Sequence, residues 1–203
     1  MLVKGLRLDG VGHRFGDGAR LFAGISLTLA PGRVYALTGP SGSGKSTLLG
    51  ILAGWTTPAE GRVERPADAR TAWVFQNPHG VAGRTALDHV VLPLLARGMS
   101  RAEAEPVARD LMAGFLLAGL ERRPFGALSG GEAQRLMLAR GIAAAPDILL
   151  VDEPTAQLDR ATADRVNESL AALRTPDTVV VIATHDPATR DRCTDVIDLD
   201  GFR

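Results

Sequence analysis

Hydrophobic and polar positions follow two different patterns along this chain of 203 residues. Four mainly apolar runs, at residues 34–37, 71–75, 148–151 and 178–183, are typical of strands buried on both faces of a parallel sheet. Residues 25–29 alternate between apolar and polar positions, as in a strand with one exposed face. The pattern predicts one α/β domain.

Residues 77–128 have a different character, rich in alanine and leucine, and predict an inserted helical segment. Ser100 and Glu103 have the spacing of a capping box, which places the start of one helix there. Pro106 follows, and we expect it to bend or delay that helix. Acidic and basic residues nearly balance in the segment, so a docking element is a better interpretation than a nucleic-acid surface.

Composition excludes several classes of function. Lys+Arg and Asp+Glu both total 23, and a net charge of zero disfavours binding to nucleic acid. The single cysteine, Cys193, excludes an internal disulfide and fits a reducing compartment. Lys4 and Arg7 interrupt any apolar signal sequence, and the longest mainly apolar run, 111–120, is too short to span a bilayer. We expect a soluble, cytosolic chain whose work at a membrane requires a separate spanning protein.

A glycine-rich loop follows the first apolar run and matches the pattern G-x-x-x-x-G-K-[ST]. Such a loop turns its backbone N–H groups inward around a polyphosphate at the N-terminus of the next helix. Its lysine supplies charge for the β- and γ-phosphates, and its serine hydroxyl is placed to bind Mg²⁺. The pattern predicts a nucleoside triphosphate site formed by Gly39, Pro40, Ser41, Gly42, Ser43, Gly44, Lys45, Ser46 and Thr47.

Polar side chains come directly after the other apolar runs. Asp152 and Glu153 end one buried strand, where the first acid can hold Mg²⁺ through water and the second can act as a general base. Adjacent acids are otherwise usually solvated, but solvated acids rarely end a buried strand. Gln76 and His185 follow two further strands, at the edge where open α/β sheets place ligands.

Two further features allow both a structural and a functional interpretation. Ser129, Gly130, Gly131 and Glu132 open a helix, either as a second anion-binding nest or as a glycine turn with a serine cap. With one phosphate loop in the chain, a second nest is structural or serves a nucleotide held by another copy. Phe15 precedes a glycine turn and is either a core residue or a face for stacking on a purine.

In this order, these motifs resemble those of the nucleotide-binding subunit of ATP-binding cassette (ABC) transporters, and the resemblance covers nearly the whole chain. The matching stretches are Gly39–Thr47 for Walker A, Gln76 for the Q-loop, Leu128–Glu132 for the LSGGE signature, Ile148–Glu153 for Walker B with its glutamate, Ala156–Asp159 for the D-loop and His185 for the H-loop.

The resemblance implies a P-loop NTPase fold with a mainly parallel central sheet, an N-terminal antiparallel β subdomain and an inserted helical subdomain. Residues 1–76 and about 129–203 would form the RecA-like core with the β subdomain, and about 77–128 the helical subdomain. It implies ATP and Mg²⁺ as ligands, a second ATPase subunit, and an integral membrane permease at the cytoplasmic face of the membrane.

The resemblance also implies a role for each site residue. Lys45 would bind phosphate, and Ser46, Gln76 and Asp152 would hold Mg²⁺. Glu153 would activate water and His185 would hold the γ-phosphate. Phe15 would stack on adenine, although tyrosine is commoner there. Residues 129–132 would clamp the ATP of the other subunit.

Residues 86–104 most resemble the lipoprotein-release and macrolide-export branch, which includes an ATPase that signals to a wall hydrolase. A signalling module that moves no substrate is therefore an alternative to a transporter. A third hypothesis is a cassette ATPase that acts on ribosomes or DNA. The chain has one cassette and no basic patch, and both features disfavour that hypothesis. A P-loop kinase would leave LSGGE and His185 unexplained.

Overall fold

The computed structural model describes residues 5–16, 18–171 and 176–203. Two sheets and six α-helices make up the described chain, with two short 3-10 turns at Phe125–Ala127 and Leu199–Phe202. The strands are β1 Leu6–His13, β2 Phe22–Leu29, β3 Val34–Thr38, β4 Glu60–Glu64, β5 Thr71–Val74, β6 Ile148–Asp152, β7 Val179–Ala183 and β8 Asp195–Asp198. The helices are α1 Lys45–Leu52, α2 Ala86–Ala96, α3 Arg101–Gly114, α4 Gly130–Ala143, α5 Arg160–Ala171 and α6 Pro187–Asp191.

The central sheet is parallel and has the strand order β5-β6-β7-β3-β8. The smaller sheet is antiparallel, with the order β2-β1-β4. The predicted fold class is therefore confirmed: a parallel α/β sheet, an antiparallel β unit near the N-terminus, and helices inserted between β5 and α4. The subdomain boundaries at 76/77 and 128/129 stay a prediction.

The two faces of the parallel sheet bury different partners because strand side chains alternate between them. Leu150 and Val181 face α1 and the antiparallel sheet. Leu149 and Val180 face the helices α2, α3 and α4. The continuous apolar runs are thus explained, since a strand covered on both sides has no polar face. No helix among residues 5–16, 18–171 and 176–203 is long and apolar enough to cross a membrane.

The inserted helix α3 begins where the sequence predicts, but the delay expected from its proline does not occur. Ser100 caps α3 and forms a capping box with Glu103, as the spacing indicates. Pro106 does not delay this helix, which starts at Arg101 and continues through the proline. The capping box already satisfies the first turn, so the helix starts there and the proline removes one later N–H bond. Lys4, which interrupts the apolar N-terminus in the sequence, lies outside the described residues.

Candidate nucleotide-binding site

The glycine-rich loop joins β3 to α1, and its glycines are required by space and by backbone angles. Gly44 has φ +95° and is the N-cap of α1, and a Cβ on it would lie 2.9 Å from the Phe22 ring. The Lys45 ammonium donates to the carbonyl oxygens of Gly39, at 2.8 Å, and Pro40, at 3.3 Å. The lysine charge therefore sits over the loop, at the positive end of α1.

The two adjacent acids at the end of β6 turn to different partners. Asp152 accepts a hydrogen bond from the Ser46 hydroxyl, 2.7 Å from Oδ2. Burial raises the pKa of Asp152, while the bond from Ser46 opposes that shift. Both acids are buried, which excludes the alternative of a solvated pair.

Glu153 adopts the left-handed conformation, with φ +46°, which a non-glycine residue keeps only where its surroundings hold it. Its N–H donates to the carbonyl of Ala183 at 2.9 Å. The Glu153 Oε1 atom lies 2.9 Å from Nδ1 of His185, and the His185 N–H donates to Oε2 at 3.4 Å. The carboxylate is thus oriented by β7 and by an imidazole whose side chain is 71% exposed.

These groups line one cleft of about 460 Å³. The register of the parallel strands explains the convergence, because Asp152 pairs with Ala183 and Leu37 pairs with Ala183 from the other side. Gln76, just past the end of β5, stands exposed on the rim. The lining consists of Ser41, Gly42, Lys45, Ser46, Gln76, Asp152, Glu153 and His185.

The Ser129–Glu132 stretch is not part of that cleft lining. Ser129 caps α4, accepting from the N–H of Glu132 at 3.3 Å, and its own N–H donates to the Glu132 carboxylate at 2.7 Å. This second bond holds the pKa of Glu132 below its ordinary value. The serine cap is therefore present, and this helix start does not line the cleft of its own chain.

Phe15 is not a core residue, because 63% of it is exposed. Its ring packs edge-on against the buried ring of His13, with centroids 4.8 Å apart. His13 pairs with Phe22, whose ring contacts the Gly44 position of the loop. The aromatic face therefore stands open to solvent on the side of the chain that approaches the phosphate loop.

The sequence interpretation missed Gln134, a buried residue of α4. Its Nε2 donates to the carbonyl of Phe75 at 3.2 Å, which ties α4 to the residue before Gln76. A polar residue among the apolar positions of an amphipathic helix was the available signal, and its backbone partner was not visible from the sequence.

The profile of the ABC transporter family matches residues 22–156. The chain belongs to this family. It is an ATPase cassette of an ABC transporter.

Named relatives within the family carry out different tasks. The lipoprotein-releasing system ATP-binding protein LolD of Cereibacter sphaeroides is 39% identical, and the match covers 98% of this chain and 97% of that protein. The macrolide export ATP-binding/permease protein MacB of Chromobacterium violaceum is 36% identical over 98% of this chain, which spans only 34% of that protein. The taurine import ATP-binding protein TauB of Pseudomonas syringae pv. tomato is 41% identical over 89% of this chain and 72% of that protein.

Solved structures support the same family. The ATP-binding cassette MJ0796, in a dimeric post-hydrolysis state bound to ADP and Pi, superposes with a TM-score of 0.82 at 29% identity, covering 95% of this chain and 93% of that chain. The LolD and MacB matches support the predicted lipoprotein and macrolide branch.

Proposed function

We propose that this chain binds and hydrolyses ATP as one of two subunits that close on two ATP molecules, and that this cycle drives a separate membrane-spanning partner from the cytoplasmic face. The convergence of Lys45, Ser46, Gln76, Asp152, Glu153 and His185 on one cleft carries the proposal. The relation to LolD, MacB and MJ0796 supports it.

The donors in the cleft fit a hard divalent cation. Ser46 Oγ and Asp152 Oδ2 lie 2.7 Å apart, and Gln76 offers an amide oxygen on the same cleft. Mg²⁺ prefers oxygen ligands and keeps several waters, so a few protein oxygens together with phosphates suffice. When bound, the ion neutralises charge that develops on the phosphates. Lys45 and the loop N–H groups would bind the β- and γ-phosphates.

Glu153 is placed to accept a proton from an attacking water. A general base must be held in a fixed direction within hydrogen-bond reach of the proton it takes. The backbone bond to Ala183 and the contact with His185 provide that direction. His185 would therefore act by orienting the acid, as well as by contacting the γ-phosphate from its exposed side.

The position of the signature supports a dimer. The first four N–H groups of α4 belong to residues 130–133. The Ser129 hydroxyl accepts from the N–H of Glu132, and the Ser129 carbonyl accepts from that of Ala133. The N–H groups of Gly130 and Gly131 are left for a ligand. Because this end of α4 does not line the cleft of its own chain, we propose that it clamps ATP held by a second subunit.

An exposed apolar groove supports the proposal of a protein partner. The groove, of about 500 Å³, lies between β5, α2 and α4, and Phe75 and Leu92 on its walls are exposed. Exposed apolar surface of this kind is typical of interaction sites. Phe75 precedes Gln76, so a segment of a membrane partner bound here would lie next to the nucleotide cleft. We propose the lipoprotein or macrolide branch for this partner.

Phe15→Ala should weaken ATP binding by about fivefold or more, because stacking of an aromatic on a base contributes about 1–3 kcal/mol. Isothermal titration with ATP would measure the change in Kd. Trp55→Ala is the matched control, since Trp55 is 67% exposed and Phe15 is 63% exposed. An unchanged Kd for Phe15→Ala would contradict stacking of Phe15 on the adenine base.

Ser129→Ala and Ser100→Ala remove the same capping box from two helices of the same length. Each should lower the free energy of unfolding by about 1 kcal/mol, measured by urea denaturation. Only Ser129→Ala should also lower ATPase activity, by about tenfold or more, because Ser129 would contact the ATP of the other subunit. Equal activity in the two variants would make Ser129 a cap and nothing more.

Glu153→Gln should keep ATP binding and lose nearly all turnover, because the amide cannot accept the proton. The unhydrolysed complex should accumulate as an ATP-bound dimer, measured by light scattering with and without ATP. Lys45→Ala in the same background should abolish the dimer by removing nucleotide binding. Wild-type hydrolysis in Glu153→Gln would remove Glu153 from the base role.

Tagged Glu153→Gln protein with ATP should recover a membrane-spanning protein from detergent-solubilised membranes of its source cell. Leu92→Asp in that background should lose it, because a carboxylate in the groove opposes an apolar contact. Val107→Asp is the control, since Val107 lies outside the groove and is 38% exposed, against 44% for Leu92.

The identity of the recovered protein decides the branch. A partner with few spans and a large extracytoplasmic domain supports the lipoprotein and macrolide branch. A permease with many spans would contradict that branch, and ribosomes or DNA without a membrane protein would overturn the proposal of a transporter.

A further inference from the structure

Residues 75–85, the linking segment, join β5 to α2 and carry Gln76. They are held at their start by Gln134, through the carbonyl of Phe75. At the other end the Thr85 hydroxyl caps α2 by accepting from the N–H of Asp88 at 3.2 Å. Between these ends the segment has neither helix nor strand, so its path depends on side-chain contacts and on a few backbone bonds.

His89, a buried residue in the first turns of α2, makes two of those contacts. The N–H of Val81 donates to Nε2 at 3.0 Å, and Nδ1 lies 2.8 Å from the carbonyl oxygen of Thr85. A backbone N–H can only donate and a carbonyl can only accept. The imidazole must therefore be neutral, with its proton on Nδ1.

The ring of His89 also packs against Phe125, with centroids 5.1 Å apart. Gly80 of the linking segment also lies close to Phe125, since a Cβ added to Gly80 would lie 2.6 Å from that ring. Two backbone hydrogen bonds also join the linking segment to the Phe125 turn. The N–H of Phe125 donates to the carbonyl oxygen of Arg84 at 2.9 Å, and the N–H of Gly126 donates to that of Ala82 at 3.0 Å.

Phe125 begins the 3-10 turn that leads directly into Ser129. Leu128 N–H donates to the carbonyl of Phe125 at 3.1 Å, so the turn and the start of α4 form one bonded unit. Contacts therefore run from residues 80–85 of the linking segment, through His89 and Phe125, to Leu128 at the start of α4. Gln76 is joined to them along the chain of the same segment.

We propose that His89 is a positioning residue for ATP hydrolysis, which holds the linking segment against Phe125 and so fixes Gln76 and Ser129 relative to each other. The inference rests on the proposed roles of Gln76 and Ser129. His89 itself lies outside the nucleotide cleft and touches neither of these residues in the described structure.

The hydrogen bonds also make this contact sensitive to acid. A protonated ring would point an N–H from Nε2 at the N–H of Val81, and that bond would be lost. Burial lowers the pKa of His89, and the nearby charges of Arg140 and Arg84 lower it further, while the Thr85 carbonyl and Asp88 raise it.

The direction of the acid effect follows from that shift. The unfolded chain takes up a proton near pH 6.5, whereas folded His89 takes it up at lower pH, so stability is lost as pH falls through that window. We expect activity to fall at the lower end of that window, where folded His89 takes up its proton and the contact with Val81 is broken.

Three substitutions separate the contacts. His89→Gln places an amide oxygen at the reach of Nε2 and can accept from Val81, whereas His89→Asn reaches only the Nδ1 position. His89→Phe keeps the ring and removes both bonds. We expect kcat to fall about tenfold in His89→Phe and His89→Asn, with KM for ATP nearly unchanged, and to recover largely in His89→Gln.

The pH profile of kcat and the KM for ATP are measured together. Loss of a residue that only stabilised the fold would change neither the acid limb of the kcat profile nor kcat relative to KM. In His89→Gln the acid limb should begin at lower pH than in the wild type, because the amide takes up no proton there. Equal kcat for His89→Asn, His89→Gln and wild type, with unchanged acid limbs, would overturn the inference, even if His89→Phe fails to fold. A wild type without ATPase activity would instead overturn the proposed function.

Discussion

The register of the parallel strands is the constraint on which the candidate site depends. Asp152 pairs with Ala183, and Ala183 pairs with Leu37, so three strands end at one level. The phosphate loop, the two acids and His185 leave the sheet at that level, and Gln76 follows the end of β5 beside them. A slip of one residue in β6 would also exchange its two buried faces, so the same packing that fills the core fixes the acids at the cleft.

The site keeps its acids at a cost that the surrounding bonds offset. Asp152 and Glu153 are both buried, and Glu153 has a backbone conformation that is unfavourable for its type. The Ser46 hydroxyl, the Ala183 carbonyl and the His185 imidazole hold them in place. A carboxylate fixed in this way needs little rearrangement before it acts, which is how a site stabilises a transition state more than a ground state.

Much of the fold and the cleft could be predicted because short continuous sequences carry them. An apolar run predicts a strand, and the polar residue directly after it marks the edge of the sheet where the strand ends. The glycines of residues 39–44 predict the phosphate loop. Phe15 could not be assigned, because an aromatic beside a turn has the same pattern whether it is buried or exposed. Gln134 and His89 were missed for a related reason: each is a polar residue whose partners are backbone atoms distant from it or outside its helix.

The same distinction applies to the proposed dimer. Its cleft is built by strand ends, which must converge, whereas Ser129 lies at the start of a helix that follows an inserted segment. Gly130 and Gly131 pack closely against Gln157 and Leu158, two residues in the stretch between Glu153 and α5, where added Cβ atoms would lie 2.8 and 2.9 Å from side-chain atoms. The start of α4 is therefore packed against the stretch that follows Glu153, the proposed general base, in the same chain. In the proposed dimer the same helix start would contact the nucleotide of the other subunit, so this packed contact would lie between one subunit's acid and the other subunit's ATP.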